Sequence, residues 1–280
     1  MRVVENAYAK INWSLDVLNL RKDGYHALDM IMQCIDLKDI LTLEPAAELS
    51  LAIDGQDMIP DENNLILRAA RALCAHTLSK HGARIYLQKN IPIGAGLGGG
   101  SSDCAAALRG LNTLWNLGLS LETLTQIGAT LGSDVPFLMQ RQPARVQGRG
   151  EIIRRIRLPD HLPMVVHWPN VKLSTPRVFA QWDLMGALSM SIDMDKAQSA
   201  LATGDMNAFA GYAGNALEKA AVSLAPEIAQ IRDRFYQLGA VFSQMSGSGS
   251  AVFAVFNDEH NAKIAKDALG ENAALTCTLS

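Results

Sequence analysis

Three observations predict an α+β fold of two domains. Strand-like and helix-like segments cluster along the chain instead of alternating as βαβ units. Hydrophobic residues make up 49% of the 280 positions, enough for one large core or two moderate ones. Composition shifts near Leu158-Pro159-Asp160, which divides the chain into 1–158 and 159–280.

The elements follow in order. Val3 to Leu20 is apolar and partly alternating (Ile11, Trp13, Leu15, Val17), the period of a strand. Lys22-Asp23-Gly24 marks a turn. Tyr25 to Ile35 and then Asp39 to Leu43 read as a strand pair, and Leu49 to Ile53 as a short strand closed by Asp54-Gly55. Asn63 to Leu78 has helical spacing in Leu65, Ala69, Ala72 and Leu73, with Asn63 or Asn64 at its start. Ala83 to Gln88 is a strand. A glycine-dense loop follows, then helices over Asp103 to Trp115 and Leu121 to Leu131, the second capped by Ser120. Gly132-Ser133-Asp134-Val135-Pro136 breaks that helix, and Ala144 to Gly150 is strand and turn. Beyond the boundary, Met164 to Trp168, Ala240 to Phe242, Ala251 to Phe256 and Leu275 to Leu279 read as strands. Thr175 to Trp182, Ser199 to Gly204, Asn207 to Leu217, Pro226 to Leu238 and His260 to Leu269 read as helices.

Charge and composition exclude several function classes. A formal net charge of −3 with no basic stripe argues against a nucleic-acid surface. The short run Arg154-Arg155 with Arg157 reads as a solvated strand face. No apolar run is long enough to span a bilayer, and Met1-Arg-Val-Val-Glu-Asn-Ala-Tyr8 reads as a strand start, not a signal peptide. Cys34, Cys74, Cys104 and Cys277 are scattered, without a C-x-x-C pair, so neither structural zinc nor disulfides are expected. His76, His81, His161, His167 and His260 show no metal-ligand spacing. The expectation is a cytoplasmic protein acting on a small molecule, monomeric or weakly dimeric, with no nucleic-acid or membrane partner.

The strongest chemical signal is Pro92-Ile-Gly-Ala-Gly-Leu-Gly-Gly-Gly-Ser-Ser102. So many glycines let bare backbone N–H groups approach a ligand, and the helical text behind them adds the positive end of a helix dipole. Phosphate is the usual ligand of such a loop. A dinucleotide fingerprint G-x-G-x-x-G is present at Gly94, Gly96 and Gly99. It lacks the following strand that ends in an acidic residue. A Walker loop needs a lysine before its Ser or Thr, and here Gly100 stands before Ser101-Ser102. What remains is a loop ending in Gly-Ser-Ser, whose hydroxyls face a phosphate or cap the helix that follows.

That segment resembles the ATP loop of the GHMP kinase superfamily. Ala9-Lys-Ile-Asn12 resembles its first motif, and Met245-Ser-Gly-Ser-Gly-Ser-Ala-Val-Phe253 its third, a glycine-rich turn supporting the loop. Within the superfamily, five further segments resemble the branch that phosphorylates the 2-hydroxyl of CDP-linked methylerythritol. They are Ala7-Tyr-Ala-Lys-Ile-Asn12, Asp23-Gly-Tyr-His26, Gly132-Ser-Asp-Val-Pro136, Gly148-Arg-Gly-Glu151 and Ser174-Thr-Pro176. The resemblance runs nearly end to end. Departures are small: Tyr8 stands where Pro is common, Trp13 where Leu is common, and Ala95 and Ser133 at positions that alternate Gly and Ala.

The resemblance implies an N-terminal domain like ribosomal protein S5 domain 2 and a ferredoxin-like C-terminal domain. It implies ATP as phosphoryl donor, with Mg²⁺ on its phosphates and no named protein ligand for the metal. Nucleotide binding falls to Pro92, Ile93, Gly94, Ala95, Gly96, Leu97, Gly98, Gly99, Gly100, Ser101 and Ser102, with Asn64 reaching adenine or capping its helix. Asp134 is the general base, and Lys10, a charge on an apolar strand that needs a partner, pairs with it. His26 reads the cytosine edge, and Tyr25 and Phe179 sandwich the base. Asn12 and Thr175 hydrogen-bond the methylerythritol or its diphosphate.

Overall fold

A long alternating segment followed by a turn is the recipe for a hairpin. In the computed structural model, which describes residues 1–54, 63–186 and 191–280, it forms one from β1 (Val3–Leu20) and β2 (His26–Ala46). The turn is fixed locally. Gly24 adopts φ +81, Tyr25 N donates to Asp23 Oδ1 at 3.2 Å, and Arg21 N donates to Tyr25 O at 2.8 Å. β2 is one strand where two were expected. The polar interruption Asp36-Leu37-Lys38-Asp39 stays extended because Asp39 is fully buried and bonded to the N–H groups of Asn90 and Ile91.

The chain gathers into two compact units: Met1–Ala9, Leu37–Ile91 and Gly98–Arg141 form the first, and Lys10–Asp36, Pro92–Leu97 and Gln142–Ser280 the second. β1, β2 and the glycine loop each contribute to both. This cuts the chain differently from 1–158 and 159–280. That expected boundary lies in the connection between β6 (Ile152–Arg155) and β7 (Pro163–His167).

In the first unit, β4 (Gly82–Gln88) lies parallel to β3 (Leu49–Asp54) and antiparallel to β2, with Leu41 opposite Leu87 and Leu43 opposite Ile85. Those four apolar side chains are buried or nearly so, beneath helices α1 (Leu65–Thr77) and α2 (Gly99–Leu114). Gly55, expected to close β3, lies outside the described residues. Asn64 caps α1 by accepting from Ile66 N at 2.9 Å, and Ser120 caps α3 (Leu121–Ala129) by accepting from Thr123 N at 3.1 Å, as their positions predict. The break expected after α3 falls at residues 130–134, and a short helix α4 (Val135–Gln140) forms directly after it, taking in Val135 and Pro136. Proline is tolerated in a first turn, whose N–H groups have no intrahelical partner.

In the second unit, β2 pairs with β5 (Ala144–Gly148) and β5 with β6. β7, β8 (Phe242–Met245), β9 (Val252–Val255) and β10 (Ala273–Cys277) form an antiparallel sheet in the order β10-β7-β9-β8. Helices α5 (Thr175–Leu184), α6 (Met194–Thr203), α7 (Met206–Tyr212), α8 (Glu218–Leu224), α9 (Glu227–Gln237) and α10 (Glu259–Leu269) complete it. The helix expected over Asn207 to Leu217 ends early. Gly214 and Ala216 are taken up by backbone bonds to Leu15 of β1, which pulls this stretch out straight. Trp13 meets Phe209 and Phe253 edge-on at 5.7 and 5.5 Å, and its Nε1 donates to Gln33 Oε1 at 2.8 Å. Trp13 is therefore an aromatic core anchor with its polar atom satisfied.

Candidate active site

In the second unit, the first and third motifs meet the front half of the glycine loop. Lys10 and Asn12 lie two apart on β1 and so share a face. Lys10 Nζ donates to Asn12 Oδ1 at 2.7 Å, and both residues are buried. The loop is pinned through its carbonyls. Ala95 O accepts from Ala251 N at 2.9 Å, Gly96 O from Ser246 Oγ at 3.1 Å, and Leu97 O from Lys10 N at 2.9 Å. A trans peptide points each following N–H the opposite way. The amides of Gly96, Leu97 and Gly98 therefore point away from the groups that hold the carbonyls before them. Two glycines are required here. A Cβ on Gly96, at φ +79, would stand 2.3 Å from Ser246 O. One on Gly247 would stand 3.0 Å from Gly96 O and 3.1 Å from Lys10 Nζ.

Asn215, which sequence reasoning missed, holds the third-motif turn. Its Nδ2 donates to Met245 O at 3.0 Å and to Gly247 O at 2.8 Å. Thr175, the first residue of α5, shares a 2.8 Å hydrogen bond with Ser248 in the same turn. Lys10, Asn12, Gly96 and Thr175 thus meet at one glycine-rich turn, the turn expected to support the loop.

A second cluster in this unit surrounds His26. Phe179 stacks on the imidazole at 5.2 Å and 15°, and Trp182 meets it edge-on at 5.4 Å. His26 Nε2 lies 3.0 Å from Asp183 Oδ1. A carboxylate only accepts, so Nε2 carries a proton. Trp182 Nε1 is buried without a hydrogen-bond partner. Tyr25 is exposed, and the Arg149 guanidinium lies 3.9 Å from its ring centroid. The ring that faces Phe179 is therefore His26, while Tyr25 faces Arg149. Asp183, Trp182 and Arg149 are additions that the sequence alone did not single out.

In the first unit, the back half of the loop opens α2. Gly98 is its N-cap at φ 72, so the helix starts at Gly99, four residues before the expected Asp103. Ser101 and Ser102 consequently lie inside the first turn and are not caps. Ser102 Oγ donates to Tyr8 O at 2.7 Å, which commits that hydroxyl's proton to the protein. Gly100 lies beside the start of α1, where a Cβ would be 3.7 Å from Leu65 Cδ1, next to Asn64. Asp134 is the N-cap of α4, just after Gly132, whose Cβ would lie 3.5 Å from Ser101 Oγ. Asp134 belongs to this unit and Lys10 to the other.

Beneath the first turn of α2 lies a charge cluster that sequence reasoning also missed. Lys89 Nζ bonds Asp39 Oδ2 and, at 2.8 Å, Asp103 Oδ2. Burial works against the Lys89 ammonium, but the carboxylates of Asp103 and Asp39 outweigh it and raise its pKa. Burial raises the Asp103 carboxyl against the pull of Lys89, and Asp39 adds to the rise.

Comparison with known proteins agrees with this geometry. The family model described as GHMP kinases N terminal domain matches residues 64–141, and that described as GHMP kinases C terminal matches 197–275. A protein of Thermodesulfovibrio yellowstonii named 4-diphosphocytidyl-2-C-methyl-D-erythritol kinase is 38% identical, over 92% of this chain and 90% of its own. One of the same name from Pelotomaculum thermopropionicum is 41% identical, over 94% and 92%. A crystal structure of 4-(cytidine 5'-diphospho)-2C-methyl-D-erythritol kinase superposes with a TM-score of 0.85 at 34% identity, covering 99% of both chains. Mevalonate kinase of L. major, at a TM-score of 0.72 and 16% identity over 99% of this chain and 95% of its own, shares the fold. On these matches and on the three motifs that build the loop, the chain belongs to the GHMP kinase family.

Proposed function

We propose that this chain transfers the γ-phosphoryl group of ATP to the 2-hydroxyl of 4-diphosphocytidyl-2-C-methyl-D-erythritol, on the methylerythritol phosphate route to isoprenoid precursors. The observation that carries this reading is the near full-length identity to two relatives of that name, 38% and 41%. The fold alone would not select it, because homoserine and mevalonate kinases share the fold at 18% and 16% identity. The cluster around His26 supports a flat heterocycle as part of the acceptor.

The roles follow from the chemistry of phosphoryl transfer, which needs positioning, charge neutralisation and a proton acceptor. The amides of the glycine loop and the first turn of α2 bind the triphosphate. Charge neutralisation on the triphosphate would come from Mg²⁺ when bound. Asn64, whose Oδ1 caps α1, would offer its amide nitrogen to adenine. Asp134 takes the proton of the attacking hydroxyl, and Lys10, fixed by Asn12, supplies positive charge to the developing alkoxide. Asn12 and Thr175 orient the methylerythritol diphosphate. His26, backed by Phe179, reads the cytosine edge, and the exposed Tyr25 ring offers a face to the base. Cytoplasmic location and a monomer or weak homodimer belong to the same reading.

The test is a coupled ADP-release assay with the CDP-linked substrate, mevalonate and homoserine side by side. Turnover on the CDP substrate alone is expected; turnover on mevalonate instead overturns the reading. In the same assay Asp134→Asn keeps ATP binding and loses about 10²–10⁴-fold in kcat, the range of general-base catalysis. An undiminished kcat removes Asp134 from the base role.

A further inference from the structure

The Lys89 cluster has more charge than its surroundings can hold. One ammonium meets two carboxyl groups, and the three side chains are 6%, 0% and 6% exposed. Were both carboxylates ionised, a net negative charge would be buried away from water, at high cost. Two carboxylates that share one site instead keep a proton between them. The hydrogen bonds say which one keeps it. Asp39 accepts from Asn90 N at 2.6 Å, from Ile91 N at 2.8 Å and from Lys89, all of which favour its ionised form. Asp103 accepts from Lys89 on Oδ2 and shares a hydrogen bond with Asp39, and its Oδ1 is buried without a partner.

Among the described residues, the charges acting on Asp103 are those of Lys89 and Asp39. Lys89 faces it from the end of β4 and Asp39 from β2. Cys104 adjoins it on α2, its thiol pushed up to about 12 by burial, and Arg68 of α1 acts on that thiol. α4, packed on α2, carries no titratable side chain, and Glu122 of α3 is exposed.

The cluster also sits where its charge matters. A Cβ on Gly99 would stand 3.0 Å from Lys89 Nζ, so the ammonium lies directly against the first turn of α2. Asp39 fastens Asn90 and Ile91, the segment that leads into the loop. A net negative charge here would cancel what the helix N-terminus offers a phosphate.

We propose that Lys89, Asp39 and Asp103 form a buried neutral triad, with Asp103 held as the carboxylic acid, that positions the first turn of α2 for the triphosphate of ATP. The proposal rests on reading the loop as the ATP site. All three are positioning residues, buried against the first turn of α2. Ionisation of Asp103 at alkaline pH weakens ATP binding by placing negative charge under the loop.

The test measures ATP affinity by titration calorimetry across neutral and alkaline pH for the wild type, Asp103→Asn, Asp39→Asn and Lys89→Met. Wild-type affinity is expected to fall on the alkaline side, and Asp103→Asn to lack that fall. At neutral pH Asp39→Asn and Lys89→Met weaken ATP more than Asp103→Asn does, by about tenfold or more, the cost of breaking one side of a buried pair. Equal losses in Asp103→Asn and Asp39→Asn, or a wild-type alkaline fall that survives in Asp103→Asn, overturn the proposal. Infrared spectroscopy covers the case in which Asp39→Asn does not fold. A protonated-carboxyl stretch at neutral pH is expected in the wild type and is expected to vanish in Asp103→Asn; its absence from the wild type overturns the triad. Wild-type protein that binds no ATP removes the ATP reading instead, and the infrared measurement still decides the protonation of Asp103.

Discussion

The floor of the phosphate loop and the corner around His26 are both built on charge pairs, in opposite surroundings. Lys89, Asp39 and Asp103 have side chains no more than 6% exposed. Around His26, Asp183 is 53% exposed, and Arg21 and Glu151 are 33% and 46% exposed. Buried pairs act unscreened and fix geometry, whereas exposed pairs are weakened by salt and let side chains move. On the function proposed, the triphosphate would meet rigid backbone and the heterocycle would meet rings and polar groups that adjust.

The largest effect is expected on the rigid side. Gly96→Ala places a Cβ 2.3 Å from Ser246 O and 2.9 Å from Gly249 O, at φ +79. Both neighbours are backbone, and the left-handed conformation alone costs roughly 1–2 kcal/mol for a residue with a Cβ. KM for ATP rises at least about tenfold, by the 1.4 kcal/mol that corresponds to that factor, and thermal stability drops. An unchanged KM for ATP with an unchanged melting temperature would mean that the loop is as adaptable as the His26 corner, and the contrast would fail.

His26→Ala comes next. It removes the partner of both Phe179 and Trp182 and leaves Asp183 without its hydrogen bond. KM for the CDP substrate rises by about tenfold, from lost stacking and hydrogen bonding, while KM for ATP stays near its wild-type value. Equal changes in both constants would show that His26 supports the whole domain and not the base.

Local signals carried much of this into view from sequence. The glycine loop, the Asn64 and Ser120 caps and the turn before Tyr25 are set by residues adjacent in the chain, so their chemistry is legible there. The parts that were missed depend on residues brought together from afar. Asn215 holds a turn 30 positions away. Lys89 meets Asp39 across 50 positions, and each reads alone as an ordinary surface charge. Asp39 also explains why β2 continues through a polar stretch that a period-of-two reading interrupts. α4 was hidden for a different reason: Pro136 reads as a breaker unless the first turn of a helix is already placed around it.

Asp183→Asn is the smallest expected effect and the sharpest test of the contrast. Asn keeps an oxygen that accepts from His26 Nε2, so the tautomer and the ring orientation survive. What is lost is the negative charge, on a side chain that is 53% exposed. Exposed pairs supply about 0–1 kcal/mol, so KM for the CDP substrate shifts by no more than about fivefold. The difference between variant and wild type also shrinks as salt rises from low to physiological concentration, because screening removes the same charge from the wild type. Lys89→Met, measured alongside for ATP, shows no such convergence, since its partners are out of reach of salt. A large, salt-independent loss in Asp183→Asn would place that carboxylate in the same class as the buried triad, and the acceptor side would then be as rigid as the donor side.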